Sequence, residues 1–85
     1  MIMMVLVLKN FEDFMDAVDR FGVRALILFR KNEAGGEIEY YIVSGKVGCR
    51  VSVKKGSDTQ ERIEKWLKKV DAKEVVEAVP LELFF

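Results

Sequence analysis

Residues 37–54 read EIEYYIVSGKVGCRVSVK, and this stretch decides the fold. Ser44 and Gly45 separate two runs in which apolar and polar residues alternate, the pattern of a β-hairpin closed by a two-residue turn. With these two as the central turn residues, Val43 faces Lys46. Ile42 then pairs with Val47, Tyr40 with Cys49 and Ile38 with Val51 on one face, while Tyr41 meets Gly48 and Glu39 meets Arg50 on the other. One face is dry and the other polar. A slip of one residue opposes apolar to polar side chains throughout, so the pattern constrains the pairing strongly.

Working upstream, Asn32, Ala34, Gly35 and Gly36 form a turn that joins Glu37–Val43 to an apolar run over Val23–Arg30, adding a third antiparallel strand. Before that, Asn10 can cap a helix with Asp13 at its third position. Phe11, Phe14, Met15, Val18 and Phe21 follow at helical spacing until Gly22. Met1–Leu8, MIMMVLVL, is an apolar run that holds the first strand, seen in Val5–Leu8. Downstream, Gly56 ends the hairpin and Ser57 or Asp58 caps a second helix, with Gln60 and Glu61 at capping-box spacing. Its apolar stripe is Ile63, Trp66, Leu67 and Val70. Its outer face offers Asp58–Arg62, Glu61–Lys65 and Glu64–Lys68, each pair worth about 0.2–0.5 kcal/mol on a helix. Glu74–Val79 is a last strand, with Pro80 tolerated only near an edge.

The element order β-α-β-β-β-α-β predicts one α/β (α+β) domain over residues 1–85, with a mixed five-stranded sheet and both helices on one face. Right-handed crossovers between neighbouring strands give the order 5-1-2-3-4. Basic residues on the fourth strand and Pro80 in the fifth fit two edge positions. Strands one and two, apolar on both faces, then lie inside the sheet.

Two amphipathic helices cover only one face of such a sheet. Placing Arg24 and Arg30 outward puts Leu26 and Leu28 on the open face near Tyr41, and the tail residues Leu81, Leu83, Phe84 and Phe85 also need apolar surroundings. An apolar patch made of Leu26, Leu28, Tyr41, Leu83, Phe84 and Phe85 points to self-association, most simply as a homo-oligomer. The alternative is a tail folded over its own sheet.

Composition narrows the chemistry. The 85 residues are 51% hydrophobic and 33% charged, which suits a soluble globule rather than a disordered or membrane-embedded chain. There is no histidine and one cysteine, so His-based triads, Cys-His dyads, zinc clusters and internal disulfides are excluded. No catalytic residues, cofactor or metal site is expected. Glu12, Asp13, Asp16 and Asp19 make an acidic helix face with no loop to converge them on a cation. Ser52 stands two residues before Lys54 where a metal-dependent nuclease strand has an acid. The formal net charge is zero, but it is −2 over residues 1–22, +4 over 23–56 and −2 over 57–85. Lys46, Arg50, Lys54 and Lys55, with Tyr41, therefore form the candidate contact for the competing reading, nucleic-acid binding. Met1–Leu8 is too short for a secretion signal and lacks its basic start, and Cys49 is unpaired, so a cytoplasmic protein without membrane contact is expected. Nine lysines and nine glutamates against one glutamine and two asparagines lean toward a heat-adapted source.

Overall fold

The computed structural model describes residues 6–21 and 26–75. In chain order these form β1 (Leu6–Leu8), α1 (Phe11–Phe21), β2 (Ile27–Ala34), β3 (Glu37–Ser44), β4 (Val47–Lys54), α2 (Asp58–Lys69) and β5 (Lys73–Glu74). The class is α+β, with a mixed five-stranded sheet and two helices. The expected strand two moves along the chain: it begins at Ile27 and runs to Ala34, so only Gly35 and Gly36 are left to turn it. Both have positive φ, 61° and 82°, as a type I′ hairpin turn requires. Residues 76–79 of the expected last strand, Pro80 and the tail lie outside the described residues.

The hairpin of β3 and β4 forms, but its turn is centred one residue later than expected. Ser44 pairs with Val47, Ile42 with Cys49, Tyr40 with Val51, Ile38 with Val53, Tyr41 with Arg50 and Glu39 with Ser52. Gly45, at φ 62°, becomes the first central residue, the position at which a type II′ turn needs a left-handed residue. Moving the turn centre by one residue displaces every pair by two. Because side chains repeat with period two, the residues on each face stay the same although each partner changes.

The strand order is β1-β4-β3-β2-β5, which corrects the expected 5-1-2-3-4. β1 runs parallel to β4, and β5 runs parallel to β2. Four strands therefore point one way and only the central β3 opposes them. Each crossover helix spans two intervening strands: α1 links β1 to β2, and α2 links β4 to β5. Both connections step across the sheet in the same direction, so a common right hand puts both helices on one face.

That face holds the core. Phe14, Tyr40, Ile42, Cys49 and Ile63 have no solvent exposure, and Phe11, Val18, Ile27, Phe29, Ile38, Val47, Val53 and Leu67 join them in one cluster. Trp66 of α2 lies edge-on to both Phe11 and Phe14 of α1, at 5.7 and 5.6 Å between ring centroids, and ties the helices together.

The caps form as read. Asn10 Oδ1 accepts from the backbone N–H groups of Glu12 and Asp13, and Ser57 Oγ accepts from Gln60 N–H. The side chain of Gln60 reaches back to Gly56 N–H at 2.8 Å. Of the three charge pairs expected along α2, Glu61–Lys65 is present at 3.1 Å. Arg62 instead bonds Glu12 of α1, and Glu64 turns inward to Tyr40 and Lys31, because partners on neighbouring elements are within reach.

Candidate interaction surface

The pairings assign every strand residue to one face, and the face opposite the helices is laid out in rows across the sheet. One row is Leu28, Val43, Gly48 and Val7. The next is Arg30, Tyr41 and Arg50, then Asn32, Glu39 and Ser52, then Ala34, Glu37 and Lys54. The open face is thus apolar at the end where β2 and β4 begin and charged at the other. Leu26, just before β2, is 58% exposed, and Leu28 and Val43 are half-buried beside it. Gly48 contributes no side chain and leaves the patch flat.

Tyr41 anchors the boundary between the two halves. Tyr41 is only 6% exposed, although among the described residues no helix covers this face. The phenol donates to Glu39 Oε1 at 2.6 Å, and the Arg50 guanidinium lies 5.2 Å from the ring centroid. Arg50 Nε is also 3.7 Å from Glu39 Oε2, so one carboxylate serves both groups. Tyr41 is therefore the floor of the patch rather than an exposed contact.

The cations expected to act together are spread apart. Lys46 sits in the β3–β4 turn at the apolar end. Lys54 is roughly 26 Å away along the strand at about 3.3 Å per residue. Arg50 is engaged with Glu39, Lys54 stands opposite Glu37, and Lys55 bonds Glu33. Of the other expected contact residues, Leu28 and Tyr41 fall on one face and Leu26 is exposed just before β2, whereas Leu83, Phe84 and Phe85 lie outside the described residues. Val43, Gly48 and Val7 complete the patch and were not among the expected contact residues, although the expected pairing already put Gly48 on the face of Tyr41. The same-face rule could have supplied Val43 and Gly48 from Tyr41, two residues along each strand from that row.

The helical layer offers less. Two shallow clefts of about 190 and 220 Å³ share Phe11 and Arg62, both smaller than the roughly 300–1,000 Å³ usual for small-molecule sites. Beneath α2, the buried phenol of Tyr40 donates to Glu64 at 2.5 Å, and Lys31 Nζ is 3.2 Å from the same oxygen. Burial first, and then the hydrogen bond to the Glu64 carboxylate, push the phenol well above its ordinary pKa. This group fastens α2 to the sheet. Burial alone pushes the Cys49 thiol up to about 12. Among the described residues, no three His, Cys, Asp or Glu side chains converge as a metal site, and no helix is long and apolar enough to cross a membrane.

Compared with protein-family models and with curated proteins, the chain matches none.

Proposed function

We propose that this protein is a non-enzymatic interaction module that works inside the cell and self-associates through the apolar end of its open sheet face. The observation that carries the reading is the flat patch of Leu28, Val43, Gly48 and Val7 opposite the helices, rimmed by a Leu26 that is 58% exposed. A patch of this kind is self-complementary about a two-fold axis. At about 25 cal/mol per Å², some 600 Å² of buried apolar surface offsets even a docking cost of about 15 kcal/mol. The intracellular placement rests on a lone cysteine held buried in the core.

Light scattering after size-exclusion chromatography, run from low to high micromolar concentration, tests this. The wild type is expected to associate. Replacing Leu26 and Leu28 by Glu should weaken association by at least about 100-fold, because each carboxylate must be desolvated at the contact. A wild type that is monomeric throughout the range defeats the proposal.

A second reading, nucleic-acid binding, has one feature in its favour. β1 pairs only with Val47–Cys49, so Arg50 and Lys54 border a free stretch of β4 among the described residues. Against it stand Glu39, Glu37 and Glu33, beside Arg50, Lys54 and Lys55 respectively, and the burial of Tyr41, whose ring is not offered to a base. The test is a gel shift at low salt. Under this reading, glutamine at Lys46, Arg50, Lys54 and Lys55 abolishes binding and leaves the fold intact; no shift from the wild type removes the reading.

A further inference from the structure

We propose that the outer edge of β1 pairs with β1 of a second copy, antiparallel and across a two-fold axis centred on Val7, joining two five-stranded sheets into one. This contact adds a hydrogen-bonded edge to the open-face reading and rests on it only in taking the same partner, another copy of this chain.

The first support is the direction of the backbone groups. β1 is the terminal strand of the sheet, with β4 on one side and no strand on the other among the described residues. Leu6 N–H donates to Lys46 O at 2.8 Å, so the backbone groups of Leu6, and by alternation those of Leu8, face β4. The N–H and C=O of Val7 then point outward. A donor and an acceptor on one residue of an edge are what an antiparallel hydrogen-bonded pair exchanges.

The second support is the contrast between the two edges. Over its described residues, β5 at the opposite edge presents Lys73 and Glu74, a charged pair of the kind that blocks strand addition. β1 is Leu-Val-Leu, within the stretch Met1–Leu8 that contains no charge and no proline. Leu6 is 52% exposed. Nothing in the sequence of this edge guards it against pairing.

Symmetry then selects the occupant. A strand paired antiparallel with its own copy satisfies both edges at once and closes as a dimer. With Val7 opposite the partner's Val7, Leu6 lies opposite the partner's Leu8, apolar against apolar on the helix side. On the open side, the row Leu28, Val43, Gly48, Val7 continues directly into the same row of the second copy. One apolar stripe then runs across both sheets and doubles the patch described above.

Two variants test the pairing. Val7→Pro removes only the outward N–H, which the pairing with β4 does not use, and proline is accepted on an edge strand. It should retain the wild-type circular dichroism spectrum and elute at half the mass of the wild-type assembly, as a monomer where the wild type is a dimer and as a dimer where the face contact also holds. Leu6→Cys with Leu8→Cys, in a Cys49→Ala background, should oxidise to a disulfide-linked dimer, because a non-hydrogen-bonded pair stands about 4.5 Å apart at Cα. Leu6→Cys alone should not, since the two copies of Leu6 are then roughly 8 Å apart, beyond disulfide reach. Absence of the cross-link from the double variant overturns the pairing, as does a dimer that survives Val7→Pro but is lost on replacing Leu26 and Leu28 by Glu; that second result leaves the open-face reading standing. A dimer lost with Val7→Pro and kept in the Leu26/Leu28 variant upholds the edge and overturns the face. A monomeric wild type overturns both.

Discussion

Replacing Phe14 by alanine should lower stability by about 3–5 kcal/mol, the range for truncating a fully buried aromatic residue. The side chain has no solvent exposure. It packs against the edge of Trp66 at 5.6 Å and lies 6.3 Å from Phe11, so the cavity would open where the two helices meet over the sheet. Small domains are stabilised by only about 5–15 kcal/mol in total, so the variant would sit near the limit of folding at ambient temperature. Trp66 is the only tryptophan and touches the substituted ring, which makes its fluorescence a direct reporter. With a urea dependence of about 1–1.5 kcal/mol per molar, the midpoint should fall by about 2–5 M. A loss below about 1 kcal/mol would mean that α1 is not held by this contact.

What the sequence allowed one to read, and what it did not, follows from the physics of each signal. The alternation in EIEYYIVSGKVGCRVSVK separates the two faces of β3 and β4 correctly, because a hydrophobic pattern of period two distinguishes faces. The same pattern is blind to a displacement of two residues, so the turn residue had to decide the register. Gly45 can adopt the left-handed conformation that the first central position of the turn requires, whereas in the expected register that position fell to Ser44. Strand order was harder. Right-handedness fixes the side on which a crossover helix lies but not how many strands it spans, and both helices here span two. The basic residues of β4 suggested an edge, yet β4 is interior over Val47–Cys49 and borders no strand but β3 over Arg50–Lys54 among the described residues. Gly48 was the clue to that division: a buried glycine marks a place where neighbouring chain comes close. The open-face patch was legible in part. Leu26 and Leu28 were placed by keeping Arg30 outward, and Tyr41 by the hairpin, while Val7 joined the row only through the pairing of β1 with β4.

Cys49 should be unreactive toward disulfide reagents in the native protein at pH 8 and react freely once urea unfolds the chain, with a difference in rate of at least about 1,000-fold. The thiol has no solvent exposure, and attack requires the thiolate, which burial disfavours by raising the pKa from 9.0 to about 12. The same shift makes stability depend on pH. Between about pH 9 and 12 the unfolded chain has lost this proton and the folded chain keeps it, so unfolding releases a proton and stability falls as pH rises. Below pH 9 both states hold the proton and the contribution is fully present. Tyr40, whose phenol is also held above its ordinary value of 10.0 by burial and by Glu64, adds a second decline that begins one pH unit higher. Urea midpoints should therefore be flat from pH 7 to 8.5 and drop steeply toward pH 11. Cys49→Ala should remove the earlier part of the drop, and Tyr40→Phe the later part, each at the expense of some stability at neutral pH. Rapid stoichiometric labelling of Cys49 in the native state, or a midpoint independent of pH up to 11, would mean that the centre of the β4 strand is open to solvent, which would also remove the core that places the open face opposite the helices.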